Sequence, residues 1–357
     1  MIEPIPAALT DAVAGILDAF IDDKQHQLAP IGAELDQLID AARRAVRGGK
    51  RLRPAFAYWG WRAAGGSDDK GAPILTAAAA IELVHASALA HDDVMDDSAT
   101  RRGQLAAHRA FSKRLRDAET ARVDAERFGR SAAILLGDLL LSWSDELLGG
   151  SGFKPKAIVR GRVYFDKLRT EVVAGQFLDV LAQTRGTSSA SAALRVVRYK
   201  SAKYTVERPL QFGAALAKAD KSLLSALSSY GVPLGEAFQL RDDVLGVFGE
   251  PTVTGKPSGD DIREGKRTLL VARTFDKAGR GQRAILERYF AQPAVDADGV
   301  AAVQGVIRDT GALDAVETVI AELTAASLVA LDHAPIADDE ARAALRVLVD
   351  RATNRTL

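Results

Sequence analysis

Two groups of carboxylates carry the strongest chemical signal in the sequence. The first, His91-Asp92-Asp93-Val94-Met95-Asp96-Asp97, ends an apolar stretch that begins at Ile74. On a helix, Asp92 and Asp96 lie about 40° apart and about 6 Å along the axis. Carboxylates at that spacing can share hard divalent cations, and Mg²⁺ held by few protein oxygens completes its shell with phosphate and water. An isolated DDxxD reads more simply as a solvated acidic helix end, since acids are common on surfaces. The apolar run leading straight into these acids weighs against that reading. The second group, Phe238-Gln239-Leu240-Arg241-Asp242-Asp243, also ends an apolar segment, with Gln239 on the same broad helical face as Asp242. Two such ends suggest facing walls of one metal site.

Basic segments accompany the acids. In Gly48-Gly49-Lys50-Arg51-Leu52-Arg53-Pro54 the glycines let backbone approach an anion, while Lys and Arg supply charge and forked donors suited to phosphate. Thr100-Arg101-Arg102-Gly103 follows the first acids almost at once. Taken alone, the first is equally an exposed basic turn and the second a surface ion-pairing segment. The stretch Thr254 to Thr268 adds Lys256, Asp260, Asp261 and Lys266. It is no P-loop, because five residues separate Gly249 from Gly255 and Pro257 stands where Ser or Thr is required. The five histidines are too scattered for a zinc site by spacing. Only His85 is placed suggestively, two turns before Asp92 and on nearly the same face.

Helices must position these groups. Long proline-free stretches rich in Ala, Leu, Arg and Glu favour them, and apolar residues recur at helical spacing, as in Ile81, Val84 and Ala88. Strand-like alternation is hard to find. Short Gly- and Ser-rich punctuation, such as Gly149-Gly150-Ser151-Gly152, separates helices rather than domains. The 357 residues therefore read as one large all-α domain, 1–357, with the charged run Ser112–Arg127 expected as an exposed loop or frayed helix. Lys+Arg and Asp+Glu both number 47, so no basic field exists to hold nucleic acid. Cysteine is absent, which removes disulfides, thiolate metal sites and thiol nucleophiles. The N-terminal stretch lacks a basic signal-peptide region, and the run Ala132–Trp143, taken as the most apolar, is short for a membrane helix. A soluble cytoplasmic protein without membrane insertion is the expectation.

In combination the segments resemble the trans-isoprenyl diphosphate synthase (polyprenyl synthetase) family. GGKRLRP, DDVMD followed by TRRG, GQFLD at 175–179, KS at 200–201, FQLRDD and GKPSGDDIREGK occur in the family's order over roughly residues 40 to 270. The wording from FQLRDD to GKPSGDD is most similar to bacterial geranylgeranyl diphosphate synthases. The resemblance implies a single helical bundle of the isoprenoid synthase type with a central substrate cavity, and a homodimer. It implies three Mg²⁺ ions, two on Asp92 and Asp96 and one on Asp242. Arg101, Lys200, Ser201, Gln239, Lys256 and Lys266 match positions around the allylic diphosphate. Lys50, Arg53, His85 and Arg102 match those that bind isopentenyl diphosphate, and Asp179 supports the allylic site.

The family's chemistry is ionisation of the allylic diphosphate to a carbocation, attack by the isopentenyl double bond, and proton loss to pyrophosphate. Two departures stand out. Gly246 replaces a third acid that many members carry in the second motif, leaving Asp243 and Asp261 to supply outer-shell contacts. Ser201 replaces the usual Thr and keeps the hydroxyl. A non-catalytic subunit of such an enzyme usually loses an aspartate motif, and both are present here. A terpene cyclase binds one diphosphate and has no use for GGKRLRP. Chain length in the family is set just before the first acids, where a bulky aromatic stops growth at fifteen carbons. Ser87 and Ala88 are small and lie about 6–7.5 Å below Asp92, with Ala88 on the Asp92 face. A C20 product is the expectation, with farnesyl or longer products as alternatives.

Overall fold

The computed structural model describes residues 3–67, 71–118, 124–186, 189–249, 259–292 and 294–353. Nearly all of them are helical, as the Ala- and Leu-rich composition requires. They fall into two compact units, one comprising Glu3–Val163 and Phe212–Lys218, the other chiefly Tyr164–Gln211 and Ala219–Leu357.

Six helices make most of the N-terminal unit: α1 (Ala7–Leu28), α2 (Asp36–Val46), α3 (Leu52–Ala63), α4 (Gly71–Met95), α5 (Ala107–Ala118) and α6 (Ala125–Gly149). The other five all pack on α4, whose alanines 77–80, 86 and 90 are buried with Ile74, Ile81, Leu83 and Val84. The 24-residue stretch Ala72–Met95, rather than Ala132–Trp143, is the described helix long and apolar enough to cross a membrane. Its burial among five helices accounts for that composition as core. At Asp97 the backbone turns left-handed (φ 51°) and the helix stops. An antiparallel hairpin follows, β1 (Thr100–Arg101) and β2 (Gln104–Leu105). Its central pair, Arg102 and Gly103, has φ of 53° and 74°, as a type I′ turn requires.

The charged run is more ordered than expected. Residues 112–118 complete α5, with Ser112 fully buried, and Asp124 caps α6 by accepting from the Arg127 amide at 3.0 Å. Arg109 and Arg116 both pair with Glu126, at 3.0 and 2.9 Å. Residues 119–123 lie outside the described residues.

The long helix α7 (Pro155–Arg185) starts in the first unit and continues into the second. There α8 (Ala190–Val196) runs directly into an 11-residue π-helix, Val197–Glu207; α9 (Arg208–Leu216) begins in this unit and ends in the first, and α10 (Lys221–Phe248) belongs to the second. Such wide turns are rare and recur at functional sites. This one lies backbone to backbone against two glycines. A Cβ on Gly175 of α7 would overlap Lys200, and one on Gly235 of α10 would overlap Ala202. Glu171 of α7 ties down the far end, accepting two hydrogen bonds from Arg208 at 2.7 Å and one from Lys203 at 3.2 Å. Helix α10 contains Pro233 yet runs unbroken for 28 residues, and its apolar face (Ala237, Leu240, Val244) buries against the later helices.

Candidate functional site

In the N-terminal unit, Asp92 and Asp96 remain one helical turn apart, with the Asp96 amide donating to the Asp92 carbonyl at 2.9 Å. Both are half-buried. Asp93, on the next face, is buried, and burial raises its pKa even though Arg101 sits on it. The Arg101 Nε donates to Asp93 Oδ1 at 2.9 Å, and its guanidinium also reaches Asp92 at 3.6 Å. The hairpin therefore returns its first arginine to the acids, as the short spacing from DDVMD to TRRG suggested. Arg102 points elsewhere, donating to the Arg47 carbonyl at 2.6 Å.

The GGKRLRP segment divides its charges between two tasks. Arg51 is buried, with φ 49°, and bonds Glu82 of α4 at 2.5 Å and the Val46 carbonyl at 2.7 Å. That ion pair fastens the start of α3 to α4 and leaves Lys50 exposed and Arg53 half-buried on either side. His85 lies close enough to four arginines to feel them all. Burial first, then the charges of Arg53, Arg102, Arg101 and Arg51, push its pKa well below the usual histidine value. A neutral imidazole amid guanidinium groups is the electrostatics of an anion site. Below Asp92, Ala88 is half-buried, whereas Ser87 is 3% exposed and packed into the core.

In the C-terminal unit the π-helix carries Lys200 and Ser201, and Lys200 bonds Asp179 of α7 at 2.6 Å. Asp242 is half-buried near the end of α10. Gln239 donates to Asp243 at 2.7 Å. Burial and the neighbouring Asp261 and Asp242 carboxylates nevertheless push Asp243 up to about 7, against the pull of Gln239 and Lys266. Asp261, in the first turn of the short helix Asp260–Glu264, pairs at 2.8 Å with Lys266, which also holds Glu264 at 2.9 Å. The space a third acid of the second motif would need is taken, because a Cβ at Gly246 would run into the Asp261 carboxylate. Lys256 lies outside the described residues.

Hard carboxylate oxygens beside Lys and Arg suit Mg²⁺ together with a diphosphate. No three acid or histidine side chains close on one point among the described residues. A cation held there would keep positions for phosphate and water oxygens, which suits Mg²⁺. Sequence reasoning missed the structural partners Glu82, Glu171 and Glu264. Glu264 alone had a local signal, two residues before Lys266.

The sequence profile of the polyprenyl synthetase family matches residues 36–307. A geranylfarnesyl diphosphate synthase of Aeropyrum pernix is 31% identical, over 90% of this chain and 95% of its own. A geranylgeranyl diphosphate synthase of Methanosarcina mazei is 32% identical, over 76% of this chain and 82% of its own. A crystal structure of a geranylgeranyl pyrophosphate synthase from Corynebacterium glutamicum, complexed with isoprenyl diphosphate and magnesium, aligns with a TM-score of 0.94 at 40% identity, covering 98% of this chain and 99% of that one. With its motifs on these helices, the chain belongs to the polyprenyl synthetase family and is a prenyltransferase of the trans-isoprenyl diphosphate synthase type.

Proposed function

We propose that this enzyme condenses isopentenyl diphosphate with allylic diphosphates and releases mainly geranylgeranyl diphosphate, C20. The observation that carries the chain length is the small step below Asp92. Ala88 is followed by Val84 and Ile81, with no Phe, Tyr or Trp on that face to stop the tail at fifteen carbons. The same unit's cationic corner, Lys50, Arg53, His85 and Arg102, takes isopentenyl diphosphate. Asp92 and Asp96 hold two Mg²⁺ ions and Asp242 a third, with Asp243 and Asp261 behind them. The magnesium named with the Corynebacterium enzyme supports that choice of metal. When bound, Mg²⁺ supplies positive charge to the departing diphosphate.

The chain's own part is electrostatic. Arg101, Lys200, Ser201, Gln239, Lys256 and Lys266 orient the allylic diphosphate and stabilise charge as it develops on the leaving group. Asp179 holds Lys200 in place for this. Apolar side chains of α4 exclude water that would otherwise trap the carbocation. The reading takes 1–357 as one functional domain, supported by a family profile that runs over residues 36–307, and takes the enzyme to be cytoplasmic.

A homodimer completes the proposal. It is supported by apolar side chains left exposed in pairs, Ile134 and Leu135 on α6 and Val159 and Val163 on α7. Light scattering that gave a fully active monomer at micromolar concentration would contradict it. For the reaction, Asp92→Ala and Asp242→Ala should each lower turnover by about a hundredfold or more with helix content intact. Near-normal turnover in either variant would sink the metal assignment. Wild-type product that is mainly C15, or C30 and longer, would refute the chain-length reading and leave the enzyme class standing.

A further inference from the structure

Helix α7 meets the π-helix along a single stripe. Glu171, Gly175 and Asp179 follow one another at intervals of four residues and so share one broad face of α7 over about 12 Å. Asp179 bonds the Lys200 side chain at 2.6 Å, and Gly175 admits the Lys200 backbone where a Cβ would overlap it. Glu171 takes the far end. Its two oxygens accept from Arg208 Nε and Nη2, both at 2.7 Å, and from Lys203 Nζ at 3.2 Å. Burial alone would raise the Glu171 carboxyl, but these cations overcome it and hold its pKa below the usual value, so the group is ionised. Beyond it Glu207 is buried, with Ser228 donating to one carboxylate oxygen. The other oxygen has no hydrogen-bond partner among the described residues and lies 3.5 Å from Lys203. Lys203 thus sits between two carboxylates, and Arg208 stands where the chain leaves the π-helix for α9. None of Glu171, Lys203, Glu207 and Arg208 is assigned to a substrate or a metal.

Wide helical turns are uncommon, and an unfavourable backbone persists only where surrounding contacts fix it. Relaxation of the turn by one residue would rotate a side chain by about 100° around the axis. Lys200 would then lose its aim even with Asp179 in place. We propose that Glu171 is a positioning residue for Lys200: by holding Lys203 and Arg208 it fixes the wide turns that point the Lys200 ammonium at the allylic diphosphate. The proposal rests on the reading of Lys200 as an allylic ligand given above. Asp179 holds the ammonium itself, whereas Glu171 acts on the backbone that carries it.

The test is steady-state kinetics of the full chain with Mg²⁺, varying isopentenyl diphosphate and a C10 allylic diphosphate in turn. Glu171→Gln keeps the size of the side chain and removes its charge. It should lower kcat/KM for the allylic diphosphate by about tenfold to a hundredfold, the scale of a misplacement near 1 Å, and leave KM for isopentenyl diphosphate within about twofold. In a Lys200→Ala background the same substitution should change the allylic kcat/KM by about twofold or less, because the group through which it acts is gone. Where Glu171→Gln does not fold, Lys203→Gln carries the same comparison. Lys24→Met, which breaks the buried ion pair with Glu146 in the other unit, is the control. It should lower Tm and keep both KM values within about twofold. Equal losses for the two substrates, full additivity with Lys200→Ala, the same split in Lys24→Met, or wild-type allylic kinetics in folded Glu171→Gln would overturn the proposal. An unchanged allylic kcat/KM in Lys200→Ala alone would remove the ligand reading and this proposal with it, whereas additivity removes the proposal alone.

Discussion

Ala88→Phe tests the chain-length reading most directly, and the structure separates it from its neighbour. By helical phase Ala88 shares the Asp92 face and Ser87 is turned further away, yet the family resemblance gives both a part in chain length. In the fold Ser87 is 3% exposed inside the core of α4, so a ring there overpacks the helix bundle and destabilises the enzyme as a whole. Ala88 is half-buried and four residues before Asp92, so a ring at 88 enters space about 6 Å below the carboxylate. Val84 and Ile81 lie deeper on the same face and leave the ring no route down. If a growing tail must displace that ring, a steric penalty of ~1–3 kcal/mol falls on the step beyond C15. At ~1.4 kcal/mol per factor of ten, elongation past C15 slows by roughly 5- to 150-fold while the first condensations are spared. The assay is chromatography of the dephosphorylated products from isopentenyl diphosphate and a C10 primer, with kcat for primer consumption measured alongside. An Ala88→Phe enzyme that still makes chiefly C20 at an unchanged rate would refute the argument.

Lys50→Ala and Arg53→Ala should raise KM for isopentenyl diphosphate more than for the allylic substrate, whereas Lys200→Ala should raise the allylic KM or lower kcat; equal shifts would dissolve the assignment. Gly246→Asp, which restores the acid many relatives carry, should lower stability and activity, because the Asp261 carboxylate occupies that space; an activated variant would show that Asp261 moves aside freely. Burial raises Asp243 to about 7, so the metal-free folded protein keeps a proton there that the unfolded chain has lost. Stability from this group is therefore full below about pH 4 and falls as pH rises to about 7, by an amount on the order of a few kcal/mol. Asp243→Asn should flatten that part of the Tm-versus-pH curve in EDTA, and an unchanged slope would show that Asp243 is not the titrating group.

What the sequence revealed was whatever short-range pattern encodes. Charge clusters, their order and the apolar runs beside them all show on the page, and so did the all-α fold and the family. Contacts between distant segments did not. Nothing in GGKRLRP distinguishes Arg51, which is buried against Glu82, from Lys50, which is exposed, and Arg53, which is half-buried. The π-helix depends on Gly175 and Gly235, each separated by more than a helix from the backbone it touches. Two-residue strands are too short to show alternation, so the hairpin holding Arg101 was invisible except as a Gly-ended turn. Proline misled in the other direction. Proline-free length favours a helix, yet Pro233 sits inside α10, where buried neighbours such as Leu234 and Tyr230 outweigh one lost backbone hydrogen bond.

The site residues share a feature that bears on how diphosphate enters. Arg101 is paired with Asp93, Lys200 with Asp179, and Lys266 with Asp261. Each of these three cations thus has a carboxylate already within hydrogen-bonding distance. Leaving a half-buried ammonium or guanidinium without a counter-charge is costly, and so is leaving a buried acid bare. A diphosphate arriving with Mg²⁺ brings both signs at once. The cations can turn to phosphate oxygens, and the acids that lose them gain a positive field in exchange. Binding then swaps charged partners instead of stripping water from isolated charges. On this argument Asp179, which among the described residues assigned to the site contacts only Lys200, shapes the site by deciding how readily that lysine is released. Asp179→Asn would weaken its hold, and the lysine's share of allylic binding should rise as a lower KM, with kcat falling if the lysine is then less well aimed.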